Sequence, residues 1–193
     1  MKQAVIYIPG LGDERLTGQR RAIKTWAWYG VKPELFQMHW TDQEPWDKKF
    51  ERLLSRIDTL VGEGRRVAIV AASAGASAAI NAYASRKNVV NAVVLIAGKV
   101  HRANAIHPAL IRNNPSFGTS AFDSQAALAS LTPEDRRRIL SRYGIIDGVV
   151  TPADSRIPGA RNRAVPSIGH FFTIASQLIL GAPSFIHFIN KVS

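Results

Sequence analysis

No cysteine occurs among the 193 residues. That absence removes disulfide frameworks, thiolate-ligated zinc, iron–sulfur clusters and cysteine nucleophiles together. Long apolar runs are missing as well. The first run, residues 4–8, ends at Pro9-Gly10 and falls short of the about 7–15 residues of a signal-peptide core. Residues 171–189 carry no fully charged side chain, but Pro183 interrupts them where a spanning helix would need continuity. The expectation is a soluble, cytoplasmic protein with no transmembrane segment. Carboxylates are scarce: 14 Asp and Glu stand against 25 Lys and Arg, a net charge of +11. This balance favours anionic partners and says nothing about fold. No phosphate-binding Gly-x-x-x-x-Gly-Lys run, metal-spaced His and carboxylate set or recognised nucleic-acid motif is found. Neither a cofactor, a metal nor a specific nucleic-acid partner is expected, and the oligomeric state is left open.

What is present is alternation. With 46% apolar and 20% charged residues, the composition is that of one ordinary globular domain over residues 1–193. Residues 4–8 read as a buried strand, 16–29 as a helix closed by Gly30, and 31–40 as a weaker strand with Pro33 near its start. Phe50, Leu53, Leu54, Ile57, Leu60 and Val61 recur at helical spacing, so 45–61 reads as a helix. Residues 66–71 and 89–97 are clear apolar strands around an Ala-rich helix at 74–85. Residues 98–120, with Pro108, Pro115 and Gly118, break the rhythm and read as a short cap-like excursion. A helix at 122–131, strands at 138–146 and 163–168, a helix at 171–180 and a last element to Asn190 follow. Such alternation implies an α/β class, a three-layer α/β/α sandwich around a mainly parallel sheet. Chemistry in these sheets lies beyond the carboxyl ends of the strands.

Three such ends carry reactive side chains. Val70-Ala71-Ala72-Ser73-Ala74-Gly75-Ala76 sets one serine between a buried strand and a helix. A tight turn there lifts the serine oxygen above the sheet, the context of a nucleophile elbow. The competing reading is a serine that merely caps the helix. After the first strand, Pro9-Gly10-Leu11-Gly12-Asp13 forms a Gly-rich loop that can aim a backbone N–H at a developing oxyanion, alongside the N–H of Ala74. An ordinary strand-to-helix turn is its alternative. Near the C-terminus, Asp147 and His170 each follow a candidate strand, so the chain presents Ser, Asp and His in that order. The expected geometry is Ser73 bonded to His170, with Asp147 on the other ring nitrogen.

On these residues the chain resembles the α/β-hydrolase superfamily, over nearly its whole length. The resemblance runs through Pro9-Gly10-Leu11-Gly12, Ala71-Ala72-Ser73-Ala74-Gly75, Gly144-Ile145-Ile146-Asp147-Gly148-Val149-Val150 and Gly169-His170. It implies a compact form of that fold lacking its first strands. It also implies Ser73 as nucleophile, His170 as general base and acid, Asp147 as orienting acid, and the Leu11 and Ala74 N–H groups as oxyanion donors. Pro9 stands where His is frequent in the family, and Ala71 where Gly is usual.

Other residues are weighed beside these. Gly10, His101 and His107 are candidates to line the substrate pocket, the two histidines competing with a plain surface role. Pro108, Leu110, Ile111, Pro115 and Phe117 are expected to wall it shallowly, which favours small or short-chain acyl groups. Asp154 and Asp123 read as helix caps. His39 and His187 read as core or interface residues, and Lys48, Lys49, Arg52 and Arg56 as a solvated helix face. Arg15, Arg20, Arg21 and Lys24 cluster near the oxyanion loop, where anionic substrates or an anionic membrane surface are partners to consider. The reading is a serine hydrolase cleaving a small-molecule carboxylic ester or thioester through an acyl-enzyme. Its rival is a catalytically inactive protein of the same fold that uses its basic surface for anionic partners.

Overall fold

The apolar runs become the strands of one sheet. In the computed structural model, which describes residues 2–192, the strands are β1 Gln3–Ile8, β2 Val31–Leu35, β3 Arg66–Ala72, β4 Val90–Ile96, β5 Ile139–Ile146 and β6 Arg161–Ile168. Their spatial order is β2-β1-β3-β4-β5-β6. Every pairing is parallel, so all strands run the same way and their carboxyl ends meet at one edge. The β1 strand is buried throughout, and β3 throughout except at Arg66, as expected of strands covered on both faces.

Alternation along β1 divides the core. Ala4, Ile6 and Ile8 point into one apolar layer and Val5 and Tyr7 into the other. The first layer is covered by α2 Trp46–Gly62, α3 Gly75–Arg86 and α5 Pro115–Ser130. Leu53, Ile57 and Leu60 supply the buried stripe of α2 at the spacing of successive turns. The second layer is covered by α1 Thr17–Lys24, α8 His170–Ile179 and α9 Ala182–Lys191. At its centre Trp26 is fully buried. Its rings meet Tyr7 and Phe185 edge-on at 5.8 and 5.2 Å, and its indole N–H donates to the Leu178 carbonyl at 2.8 Å. Burial of the Tyr7 phenol pushes its pKa far above the ordinary value. Among the described residues, no single helix is long and apolar enough to cross a membrane.

Several boundaries differ from the sequence reading. The β2 strand stops at Leu35; Met38 and Trp40 are buried as core side chains of the loop that follows. The excursion at 98–120 is largely helical: α4 Pro108–Asn113 is followed directly by α5, which starts at Pro115 instead of 122. Pro115 is a helix starter here, its fixed φ suiting the first turn. Asp123 therefore lies inside α5 and caps nothing. Gly118 permits α4 to cross, since a Cβ there would sit 2.7 Å from an Ile111 methyl. The remaining short helices are α6 Pro133–Arg137 and α7 Pro152–Ser155, with 3-10 turns at Thr25–Tyr29 and Ala103–Ala105.

The basic face of α2 is not uniformly solvated. Lys49 is completely buried, its ammonium held by the Asp42 carboxylate at 2.5 Å and by the His39 carbonyl. Arg52 and Arg56 are paired with Glu44 and Glu34. His39 and His187 are exposed, which removes the core half of their reading as core or interface residues. In both cases a charged or polar side chain was judged from its sequence neighbours, whereas burial is decided by elements distant in the chain.

Candidate active site

Ser73 follows β3 directly and adopts φ +50°, a left-handed conformation that a non-glycine residue takes only under constraint. The constraint is visible in its backbone partners. The Ser73 N–H donates to the Ile96 carbonyl at 3.0 Å, and the Ser73 carbonyl accepts from Ala76 and Lys99, both at 3.1 Å. Close packing fixes the turn as well. A Cβ on Gly75 would lie 2.5 and 2.6 Å from the Ile8 and Pro9 carbonyls, and one on Gly10 would lie 2.7 Å from the Ser73 Cβ. Glycine at these two positions lets the β1 loop and the start of α3 meet at the serine.

Asp147 and His170 arrive from the last two strands. Asp147 follows β5, is buried, and accepts from the Val149 and Val150 N–H groups at 3.1 and 2.7 Å. His170 opens α8 after Gly169, whose φ of +88° turns the chain out of β6. The Gly169 N–H donates to the Ile146 carbonyl at 2.7 Å, which ties the two loops together. The imidazole bridges the set. Its Nδ1 lies 2.8 and 3.0 Å from the Asp147 carboxylate oxygens, and its Nε2 lies 2.8 Å from the Ser73 Oγ. With Nδ1 protonated toward Asp147, Nε2 is left as an acceptor for the serine proton.

A cavity of about 240 Å³ opens over Ser73. Leu11 and Ala74 line it, and no acceptor for either backbone N–H is found among the described residues. The arrangement leaves two backbone N–H groups among the residues that line the cavity together with Ser73. His107, Leu110 and Phe117 supply part of the wall. His107 also caps α4, its Nδ1 accepting from the Ala109 N–H at 3.2 Å.

Two candidates for the pocket lie elsewhere. Gly10 is buried beneath the serine and does not reach the cavity, because its role is to accommodate Ser73. His101 turns away and meets the Arg156 carbonyl at 2.9 Å. Asp154 does cap, forming a reciprocal pair of bonds with Thr151 at the start of α7. Burial alone would raise its pKa, but hydrogen bonds from Arg102, Lys99 and Thr151 outweigh this and hold the carboxyl well below its usual range.

Sequence reasoning passed over Lys99 and Asp13. Lys99 lines the cavity and pairs with Asp154 at 2.7 Å; its place just past β4, at another strand end, was the available signal. Asp13 is fully buried and accepts from the His39 and Trp40 N–H groups at 2.7 and 3.3 Å. Trp40 in turn donates to the Pro9 carbonyl at 3.3 Å, so the loop after β2 braces the loop that carries Leu11. Only the run of polar and glycine residues ending at Asp13 hinted at this.

No family model and no curated protein matches the chain. Solved structures do. One of two metagenome-derived lipolytic enzymes, LipS and LipT, superposes with a TM-score of 0.72 at 12% identity, over 98% of this chain and 94% of its own. The esterase domain of a Rhodothermus marinus protein gives 0.69 at 14% identity, over 98% and 87%. A serine hydrolase of carbazole degradation, CarC, gives 0.66 at 18% identity, over 98% and 91%. The likeness covers nearly all of each molecule and is one of fold.

Proposed function

The chain has the α/β-hydrolase fold, and on that premise we propose that it is a serine hydrolase that cleaves carboxylic esters or thioesters. The observation that carries this is the hydrogen-bonded run from Asp147 through His170 to Ser73, at 2.8 Å on each side of the imidazole. A helix-capping serine, the competing reading of the motif, needs neither partner. That three solved neighbours are described as lipolytic enzymes, an esterase and a serine hydrolase is in keeping with this reading.

In the proposed reaction Ser73 Oγ attacks the acyl carbon while His170 Nε2 takes its proton. The Leu11 and Ala74 N–H groups hold the oxyanion. His170 then returns the proton to the leaving alcohol or thiol, giving an acyl-serine. Water, deprotonated by the same nitrogen, attacks the acyl-serine and releases the acid. Asp147, held by two backbone N–H groups, orients the imidazole and stabilises the transient imidazolium. The cavity walls of Leu110, Phe117, Ile106 and Val150 suit a short apolar acyl group.

The test is labelling with a fluorophosphonate, which reacts with an activated serine. Wild type is expected to label and Ser73→Ala to lose the label completely. A well-folded wild type that does not label would reject the hydrolase and favour a non-catalytic binding protein of this fold.

A further inference from the structure

The outer edge of the sheet, at β6, is strongly basic. No side-chain carboxylate follows Asp154 in the sequence, yet Arg156, Arg161, Arg163 and Lys191 do. Arg161, Arg163 and Lys191 gather with Arg142 and His187 around a cleft of about 390 Å³ that no acidic side chain lines. Among the described residues, none of these four cations forms an ion pair. Arg142 is anchored by Gln177, Gly181 and Ser184, and its Nε is buried without a hydrogen-bond partner. Burial lowers the Arg142 pKa and the positive charge of Arg163 lowers it further, the mark of positive charge gathered without compensation.

At Val165 this cleft continues into an apolar groove, walled also by Pro166, Ile168, Phe172 and Leu180. The groove flanks an apolar ridge. Ile168, Phe171, Phe172 and Leu180 are 75, 77, 69 and 79% exposed, far more than isolated surface residues of an ordinary monomer call for. On the other side of α8, Arg15 borders a second apolar groove with Phe171 and Ile179. A convex apolar ridge with cations on both sides matches a deformable anionic surface.

We propose that the β6 edge docks on anionic phospholipid, with headgroup phosphates in the Arg142, Arg161, Arg163 and Lys191 cleft and the Phe171 and Phe172 ridge in the acyl boundary. His170 opens the helix that carries this ridge, so the docked element is also the one that positions the imidazole. The proposal does not depend on catalysis.

The experiment is sedimentation of the full chain with phosphatidylcholine vesicles, with and without phosphatidylglycerol. Wild type is expected to sediment with the anionic vesicles only, and to be released as salt near 0.5 M shortens the screening length to about 4 Å. Each cation near the surface is worth about 1 kcal/mol, so Arg161→Gln with Arg163→Gln is expected to weaken partitioning about 30-fold. Phe172→Ser with Leu180→Ser is expected to weaken it as well. All four side chains are outside the core, and circular dichroism melting verifies that both variants fold. The proposal is overturned by equal binding to neutral vesicles, by no binding, or by variants that bind like wild type. Saturation of the cleft by millimolar inorganic phosphate without vesicle affinity would assign it to a soluble anion instead. A wild-type dimer that Phe172→Ser with Leu180→Ser dissolves would assign the ridge to self-association.

Discussion

Substituting Gly10 tests how Ser73 is held. In Gly10→Ala the new methyl would sit 2.7 Å from the Ser73 Cβ and 3.3 Å from both the Ser73 Oγ and the Ala72 carbonyl. Carbon atoms settle about 3.5–4.0 Å apart, so roughly 1 Å must be found between two short segments. Neither gives freely: Gly10 follows the buried β1, and Ser73 is pinned through its N–H and carbonyl at φ +50°. Overpacking of this kind costs about 1–3 kcal/mol, and melting falls by about 2–4 °C for each kcal/mol in a chain of this size. The larger effect is on geometry, since a displacement of about 1 Å in a reacting group lowers its rate on the order of 100-fold. Gly64→Ala is the control. It adds left-handed strain of about 1–2 kcal/mol in the turn before β3, with open space around the new methyl. The assay is the rate of fluorophosphonate labelling beside the melting temperature. Both variants are expected to lose stability and only Gly10→Ala to lose labelling. A Gly10→Ala protein labelled within about threefold of wild type, against the on the order of 100-fold loss predicted for a misplaced group, would refute the claim that this contact positions Ser73.

Two further outcomes concern stability. For Asp135, burial would raise the pKa, but the Thr132 N–H, Lys87, the Thr132 hydroxyl and Arg138 together lower it to about 2. Its folded value lies below the unfolded one, so its contribution is complete above about pH 4 and is lost as the pH falls toward 2; Asp154 extends the loss lower still. Urea midpoints should drop steeply between about pH 4 and 2 and less so in Asp135→Asn; an unchanged wild-type midpoint contradicts the assignment. Trp26→Ala empties the centre of the second core layer and is expected to cost about 3–5 kcal/mol in urea unfolding at neutral pH. A cost below about 1 kcal/mol would mean that the layer collapses around the gap.

The sheet was legible because β1, β3 and β4 are short, β-branched or Ala-rich and bounded by glycine or charge. Strands covered on both faces leave that trace whatever surrounds them. The candidate site was legible for a related reason. Ser73, Asp147 and His170 each follow a strand, and parallel order delivers strand ends to one edge. The start of α5 was hidden because its buried face carries Ser116, Ser120 and Ser124, which blunts any amphipathic signal. Those small side chains let α5 approach α3, where the Ser77 and Ser120 hydroxyls meet at 2.8 Å and Asn81 donates to the Ser120 carbonyl. Lys49 was hidden by its charge. Its burial depends on the His39 carbonyl and Asp42, which the loop after β2 brings to it.

The members of the candidate site occupy unequal positions in the sheet. Ser73 leaves β3, which has neighbours on both sides, while His170 follows β6, the outermost strand, paired only with β5. Local opening costs least where few neighbours must be broken, and the outer residues of β6 are largely solvent-facing. Warming therefore takes the pair apart from the histidine side first, with the serine turn still formed. Loss of the contact between Ser73 and His170 on heating is thus expected as the detachment of one margin before the melting of a core.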